Sequence, residues 1–324
     1  MLAFGPVPSR RLGQSLGINN IPSKTCTYAC VYCQVGRTTL MRMERQAVYT
    51  PTDIVQAVDQ KLQQVKAVNV SVDYLTFVSD GEPTLDLNLG QEIALLRPFG
   101  YKIAVISNAS LIWQADVREE LACADWVSLK VDAASEPVWR RMNRPYGKLA
   151  LKQILEGMHT FSHAFTGKLV TETMLVRDVN DSEASLTAVA RLLAELDPAI
   201  AYIAIPTRPP TEPWVQVPTE STLHRAYHIF NAYVDTVEYL INYEGNAFAV
   251  TSEVAKDLLD ITAVHPMRED AVRTFLGKAH ADPSLLDQLI VQGVLVRVTY
   301  NGHNFYVRRF VDAGKNRRQT HFLP

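Results

Sequence analysis

The chain has 324 residues, of which 47% are hydrophobic, and its 32 basic and 34 acidic residues give a formal net charge of −2. This length suits about two domains, and a nearly neutral chain has no overall field that would hold it on nucleic acid or an anionic membrane. The first residues lack the long apolar segment of a signal peptide, and no segment approaches the roughly 18 continuous apolar residues of a membrane helix. We therefore expect a cytoplasmic globular protein that does not enter a membrane.

The segment from Val48 to Ile205 alternates helical periodicity with short apolar runs rich in β-branched residues, which is the pattern of βα units. Strands are predicted at 74–78, 102–106, 126–131, 169–176 and 202–205, with one more just before the first cysteines. Fully apolar runs of this length are typical of buried parallel strands. The pattern predicts an α/β fold, a partial or full βα barrel of roughly six parallel strands, whose functional residues follow the C-terminal ends of the strands.

The composition changes after a proline-rich loop at 206–213, and the βα pattern ends near Gly245. Three short helices are predicted at 252–261, 268–275 and 283–292, and an Asn301-Gly302 turn between alternating segments predicts a β-hairpin. Three helices followed by a hairpin are typical of a winged-helix domain. We expect a barrel domain at 1–245 and a winged-helix-like domain at 246–324. Its end is basic, with Arg297, Arg308, Arg309, Lys315, Arg317 and Arg318 against the single acidic residue Asp312.

Three of the four cysteines, Cys26, Cys30 and Cys33, lie within eight residues, so that one loop could wrap three thiolates around a compact metal centre. Closed zinc sites take four protein ligands, and clusters in ferredoxin-like carriers take four cysteines. Three cysteines would leave one iron of a [4Fe–4S] cluster open. A zinc site completed by Cys123 or a nearby histidine is the alternative.

The spacing CxxxCxxC, with Tyr32 just before the last cysteine, resembles the signature of the radical S-adenosylmethionine (SAM) superfamily. The resemblance implies a [4Fe–4S] cluster on Cys26, Cys30 and Cys33, SAM as the second cofactor, and an external reductant such as flavodoxin or ferredoxin. In that family the open iron chelates SAM, an electron from the cluster cleaves it, and a 5′-deoxyadenosyl radical abstracts a hydrogen atom from the substrate. The cofactors then supply the chemistry, and the protein positions them.

Polar residues follow three of the predicted strands. Gly81, Glu82 and Pro83 resemble the family's GGEP motif, with Asp80 in place of its first glycine, and the resemblance implies that they receive the SAM ammonium group. Further SAM contacts are predicted at Tyr32, Ser107, Asn108, Ser128, Lys130 and Asp132. The last three alternate along one face of an apolar strand, and a structural ion pair between Lys130 and Asp132 is the alternative. Thr171, Glu172, Thr207 and Arg208 are weaker candidates.

The segment GPVPSRRLG at 5–13 narrows the resemblance to a group of radical SAM proteins related to the wyosine-synthesising tRNA enzymes. Those enzymes carry further cysteines for a second cluster, whereas Cys123 is predicted here to pack within a helix. One guanidinium group can bind two phosphate oxygens at once. We therefore predict a phosphate-lined mouth of the barrel, at which phosphate groups would be bound by Arg10, Arg11, Arg37, Arg144 and Arg208. His265 and His280 are predicted to be surface residues.

Three functions follow from these observations. The first is an enzyme that modifies RNA, in particular tRNA, with the winged helix helping to hold the polymer. The second is a radical SAM enzyme that acts on a protein or peptide, and the third is an iron–sulfur redox sensor or DNA-binding regulator. The sensor leaves the Gly-Glu-Pro motif and the polar strand face unexplained.

Overall fold

The computed structural model describes residues 2–309. Within them the strands are β1 (Ala3–Ser9), β2 (Gly13–Ile18), β3 (Thr25–Cys26), β4 (Leu40–Met41), β5 (Tyr74–Phe77), β6 (Lys102–Ser107), β7 (Trp126–Lys130), β8 (Lys168–Met174), β9 (Ile200–Ala204), β10 (Val237–Leu240), β11 (Met267–Arg268), β12 (Leu295–Tyr300) and β13 (His303–Arg308). Eight of the strands form the main sheet, in the order β1-β2-β5-β6-β7-β8-β9-β10. The pair β1 and β2 is antiparallel, and every later pair is parallel.

The helices are α1 (Pro51–Ala67), α2 (Leu89–Leu96), α3 (Ala115–Leu121), α4 (Glu136–Asn143), α5 (Leu151–Ala164), α6 (Glu183–Leu196), α7 (Glu220–Asn231), α8 (Val254–Val264), α9 (Glu269–Lys278) and α10 (Ser284–Val291). Helices α1 to α7 cover the outside of this sheet, and α8 to α10 belong to the C-terminal part. Helix α1 begins at a capping box, in which Thr50 and Asp53 satisfy each other's backbone N–H groups. The apolar stripes of α1, α2, α5 and α6 belong to the same large core as the strands.

The curved sheet is an open half-barrel, which confirms the predicted partial βα barrel. Within residues 2–309 the sheet has seven parallel strands, one more than the predicted six, because the sequence analysis did not predict β10. It did not predict the antiparallel β1 either. Strand β1 has the sequence AFGPVPS, and proline within a segment argues against a strand. As an edge strand, β1 tolerates the missing N–H groups.

The turn between β1 and β2 folds into the concave side of the sheet. Leu12 of this turn packs with Trp126, Tyr202 and Leu240, which lie on three different strands. The neighbouring Arg10 donates to the carbonyl of Asn242, just beyond β10, at 2.6 Å. The turn thereby links the two ends of the open sheet from inside.

The C-terminal part forms a second core that is continuous with the first strand of the barrel. Phe4 and Val7 of β1 pack into a cluster with residues of α8, α9, α10 and the small sheet β11-β13-β12. Asp257 of α8 and Lys61 of α1 form a buried ion pair at 2.6 Å. These contacts fix the C-terminal part beside the C-terminal ends of the barrel strands.

The three C-terminal helices and the hairpin lie where the sequence predicted them, and Asn301 and Gly302 both have positive φ, as a two-residue hairpin turn requires. The assignment as a winged-helix domain with a boundary at 245 stays a prediction. Lys315, Arg317, Arg318 and Asp312 of the predicted basic tail lie outside the described residues. No helix in residues 2–309 is long and apolar enough to cross a membrane.

Candidate active site

A cavity of about 330 Å³ opens at the C-terminal ends of the parallel strands. The three cysteines of the motif line one side of it, together with Asp80 and Gly81 after β5. Inward-facing side chains of the strands, among them Lys130 and Glu172, line another side. This is the edge at which a βα barrel is expected to carry its functional residues.

The cysteine loop is held by hydrogen bonds to the end of α4 and to the proline-rich loop. The N–H groups of Ala29 and Val31 donate to the carbonyls of Asn143 and Met142 at the end of α4, both at 3.0 Å. On the other side, Thr211 of the proline-rich loop donates its hydroxyl to the carbonyl of Cys33 at 2.7 Å. These hydrogen bonds fix the position of the cysteine loop relative to α4 and the proline-rich loop.

The cysteine sulfurs receive hydrogen bonds from two asparagine side chains. Asn108 Nδ2 lies 3.4 Å from Cys26 Sγ, and Asn143 Nδ2 lies 3.5 Å from Cys30 Sγ. Burial, together with the neighbouring Cys33, raises the pKa of the Cys30 thiol to about 12. Such donors stabilise thiolates, and hydrogen bonds to sulfur are among the features that tune iron–sulfur clusters. Among residues 2–309, no group of three or more His, Cys, Asp or Glu donors converges as a site for a single metal ion.

Glu82 is fully buried behind the cavity wall, and its carboxylate is occupied by its own chain. It accepts hydrogen bonds from the hydroxyl and the N–H of Thr84, from the Ser107 hydroxyl and from the Asn108 N–H, at 2.6–3.1 Å. Burial raises its pKa in spite of these bonds. The carboxylate thereby ties the loop after β5 to the loop after β6.

Gly81 lies on the cavity wall next to Glu82, at a position where no side chain would fit. A Cβ atom at this position would lie far inside van der Waals contact with the carbonyl oxygen of Thr25. The same carbonyl accepts the Glu82 N–H at 3.2 Å. This close approach presses the strand-end loop against the start of the cysteine loop.

Asp132 connects the cysteine loop to β7 and β8. It accepts a short hydrogen bond from the Tyr32 hydroxyl, one from Asn143 Nδ2 at 2.8 Å and one from the Met174 N–H at 2.9 Å. Burial raises the pKa of this carboxyl. The contacts fix the ring of Tyr32, which lines the cavity one residue before Cys33.

Lys130 pairs with Glu172 and not with Asp132, so the predicted structural pair is wrong in its partner. Glu172 also accepts Arg11 Nη1 at 2.6 Å, and the same nitrogen donates to Ser128 at 3.2 Å. Although burial alone would raise the pKa of Glu172, the charges of Lys130 and Arg11 lower it to about 2. The buried carboxylate of Glu172 thus forms ion pairs with two cations on the cavity wall.

His265 is a further correction, because it is buried and lines the cavity instead of lying on the surface. Its Nε2 atom is 2.8 Å from Glu244 Oε1, and Arg208 contacts both residues. Burial, followed by the charges of Arg208 and Arg10, lowers the pKa of His265 well below its usual value. His280, by contrast, is exposed as predicted.

The arginines predicted for a phosphate-lined mouth separate into two groups. Arg10, Arg11 and Arg208 line the cavity, whereas Arg37 and Arg144 lie outside it and pair with Glu212 at 3.5 and 2.6 Å.

Cys123 is exposed just after α3, does not line the cavity, and contacts the carbonyl of Glu119, so its predicted packing in a helix core is wrong.

Of the predicted SAM contacts, Tyr32, Gly81 and Lys130 line the cavity. The others lie behind the wall and support it; they are Glu82, Pro83, Ser107, Asn108, Ser128 and Asp132. Sequence reasoning missed Asn143 and Glu244, because neither belongs to a motif and each reaches the site from a distant part of the chain.

Comparison with known proteins identifies the family. Residues 20–188 match the model of the radical SAM superfamily. The UPF0026 protein MJ1312 of Methanocaldococcus jannaschii is 43% identical over 317 residues, which cover 97% of this chain and 98% of that protein.

Two solved structures share the fold at low sequence identity. A radical SAM methyltransferase from Sphaerobacter thermophilus aligns with a TM-score of 0.56 and 17% identity, over 69% of this chain and 66% of that one. TYW1 with a lysine–pyruvate adduct bound aligns with a TM-score of 0.52 and 16% identity, over 68% and 74%. The match over residues 20–188 shows that the chain belongs to the radical SAM superfamily, whose enzymes use a [4Fe–4S] cluster and SAM.

Proposed function

We propose that Cys26, Cys30 and Cys33 bind the [4Fe–4S] cluster and leave one iron for SAM. The donor set fits, because three thiols share one wall of the cavity and amide groups already donate to two of the sulfurs. When bound, the cluster supplies the electron that cleaves SAM and generates a 5′-deoxyadenosyl radical. The electron comes from an external reductant such as flavodoxin or ferredoxin.

Within this proposal, Tyr32, Gly81 and Lys130 contact SAM, because they face the cavity beside the cysteines. The remaining predicted residues act as positioning residues from behind the wall; they are Glu82, Pro83, Ser107, Asn108, Ser128 and Asp132. Glu82 holds the backbone after β6, and Asp132 holds Tyr32. A pre-arranged wall of this kind orients bound groups at little further entropic cost.

We propose RNA, and tRNA in particular, as the substrate. The observation that carries this is the rim beside the cysteine loop, where the exposed guanidinium groups of Arg37 and Arg144 share the single carboxylate of Glu212. Trp214, in the same turn as Glu212, is 43% exposed. Cations that contact phosphates beside an exposed aromatic ring are the usual means of binding single-stranded nucleic acid.

Two further features support an RNA substrate. The segment at 5–13 resembles that of the wyosine-synthesising tRNA enzymes, and Arg297 and Arg309 of the C-terminal hairpin are exposed. Arg308 is held by Asp260 at 3.2 Å and by the Leu259 carbonyl, so it joins the hairpin to α8. The proposed role of the winged-helix-like part is therefore to extend the RNA contact from the rim.

The test is tRNA binding to the anaerobically reconstituted protein, measured by fluorescence anisotropy across a range of salt concentrations. Replacing both Arg37 and Arg144 with glutamine should weaken binding and reduce the logarithmic salt slope by roughly 0.7 to 0.9 for each lost phosphate contact. Arg140→Gln, a change at an exposed arginine of α4, should leave the slope unchanged. If the parent protein binds no tRNA even at low salt, the RNA proposal is wrong and a peptide or protein substrate replaces it.

A further inference from the structure

The cavity wall carries more positive than negative charge. Its basic side chains are Arg10, Arg11, Lys24, Lys130 and Arg208. Its carboxylates are Asp80, Glu172 and Glu244, which leaves an excess of two positive charges because His265 is neutral at physiological pH. A cavity lined by an excess of positive charge attracts ligands of negative charge.

The excess is localised at the turn between β1 and β2. Arg208 is matched by Glu244, and the charge of Asp80 acts on Lys24, whereas Arg11 and Lys130 share Glu172. Arg10 lines the same cavity and donates to a backbone carbonyl, and no carboxylate within residues 2–309 forms an ion pair with it.

Arg11 is held in a fixed position beside Arg10. Its guanidinium group lies over the rings of Trp126 and Tyr202, with 5.6 and 5.8 Å to the ring centroids, and contacts Ser128 and Glu172. These contacts fix one cation on the cavity wall that Arg10 also lines. Arg10 itself is exposed to solvent, and its bond to the Asn242 carbonyl uses Nη1. Two guanidinium groups that line one cavity are suited to binding the planar or tetrahedral oxygens of an oxyanion.

The cofactors of the family do not remove this excess. A cubane with three thiolates carries one net negative charge when oxidised and two when reduced, and SAM carries one net positive charge. Together they contribute no net charge in the oxidised state and one negative charge in the reduced state. In both states at least one positive charge of the wall is left for a third group.

We propose that Arg10 and Arg11 bind an oxyanion of the substrate, a phosphate or a carboxylate, inside the cavity. The proposal deepens the function proposed above, since a nucleotide would present its phosphate here, but the site can be tested without RNA and without turnover. It also predicts that the substrate enters the barrel with its charged group directed at the turn between β1 and β2, away from the cysteine loop.

The experiment is anaerobic isothermal titration calorimetry of the reconstituted, SAM-saturated enzyme with inorganic phosphate and, separately, with acetate. At least one anion should bind, and Arg10→Gln should weaken that binding by at least about tenfold, as expected for a lost charge-assisted hydrogen bond. Arg10→Lys, which keeps the charge but not the paired donors, should give a smaller loss. Arg273→Gln, an exposed arginine of α9, should behave as the parent does.

Each result bears on the proposal. Phosphate binding alone assigns a phosphate-bearing substrate, and acetate binding alone assigns a carboxylate-bearing one. If neither anion binds, or if Arg10→Gln binds them as well as the parent does, the proposal is wrong. It is also wrong if the anions compete with SAM, because the charges would then serve the cofactor. A failure of tRNA binding leaves all of these outcomes unaffected.

Discussion

Replacing Glu172 with glutamine should destabilise the half-barrel, because this carboxylate is the shared partner of Lys130 and Arg11. Glutamine keeps the size of the side chain but removes its charge. Two buried cations then lose the carboxylate with which they form ion pairs, and unpaired buried charges are strongly destabilising. The effect should therefore depend on pH in the way that the ionisation of Glu172 does.

The magnitude follows from the pKa of Glu172, which changes from 4.5 to about 2 on folding because two cations outweigh the effect of burial. A carboxyl with its pKa lowered in this way stabilises the folded state above the unfolded-state value and loses that contribution as the pH falls toward 2. At pH 7 the contribution is about 3 kcal/mol. At pH 3 it should be roughly half of that.

The assay is urea unfolding of the cluster-free chain under anaerobic conditions, followed by circular dichroism at pH 7 and at pH 3. Glu172→Gln should lower the free energy of unfolding by about 3 kcal/mol at pH 7 and by about half of that at pH 3. Glu195→Gln, at an exposed position, should change it by less than about 0.5 kcal/mol. An equal loss at both pH values would show that charge pairing is not the cause.

Three other variants test separate parts of the structure. Lys61→Met leaves Asp257 buried without its cation, so the free energy of unfolding should fall by about 3 to 5 kcal/mol; a loss below about 1 kcal/mol in urea unfolding would contradict the buried pair. Gly81→Ala should displace the carbonyl of Thr25 and abolish SAM cleavage while the circular dichroism spectrum is retained, and full activity would contradict the close approach. Burial and the neighbouring Asp86 raise the pKa of Glu92 to about 9. The folded protein then keeps a proton that the unfolded chain releases, so the free energy of unfolding falls as the pH rises from about 5 to 9. Glu92→Gln should therefore become more stable than the parent as the pH rises through this range, and a constant difference in melting temperature would refute the assignment.

The sequence was sufficient for the parts of the site that follow from spacing. Cys26, Cys30 and Cys33 lie on one cavity wall, and Gly81 lies next to them, because a loop and a strand end at the same edge of a parallel sheet must meet. The family and its cofactors were predicted from the same motif. Most strands of the main sheet were predicted from apolar runs, because buried parallel strands have little polar sequence to obscure them.

The sequence was insufficient where a side chain's partner comes from far along the chain. Lys130 and Asp132 alternate on one strand, but Glu172 of the neighbouring strand lies directly across from Lys130 in the parallel register and takes its charge. His265 carries no motif, and it reaches the cavity only because the C-terminal core packs onto β1. Single-sequence periodicity contains no information on either contact.

The most direct test of the central claim is the iron content and SAM cleavage of three proteins reconstituted side by side without oxygen: the parent, Cys30→Ala and Cys123→Ala. The parent and Cys123→Ala should each hold about four irons per chain and release 5′-deoxyadenosine from SAM on reduction, whereas Cys30→Ala should do neither. Cys123 is the matched control because it is exposed and lies outside the cavity. Tightly bound zinc in place of iron, or equal iron content in all three proteins, would contradict the assignment of the cluster to this loop.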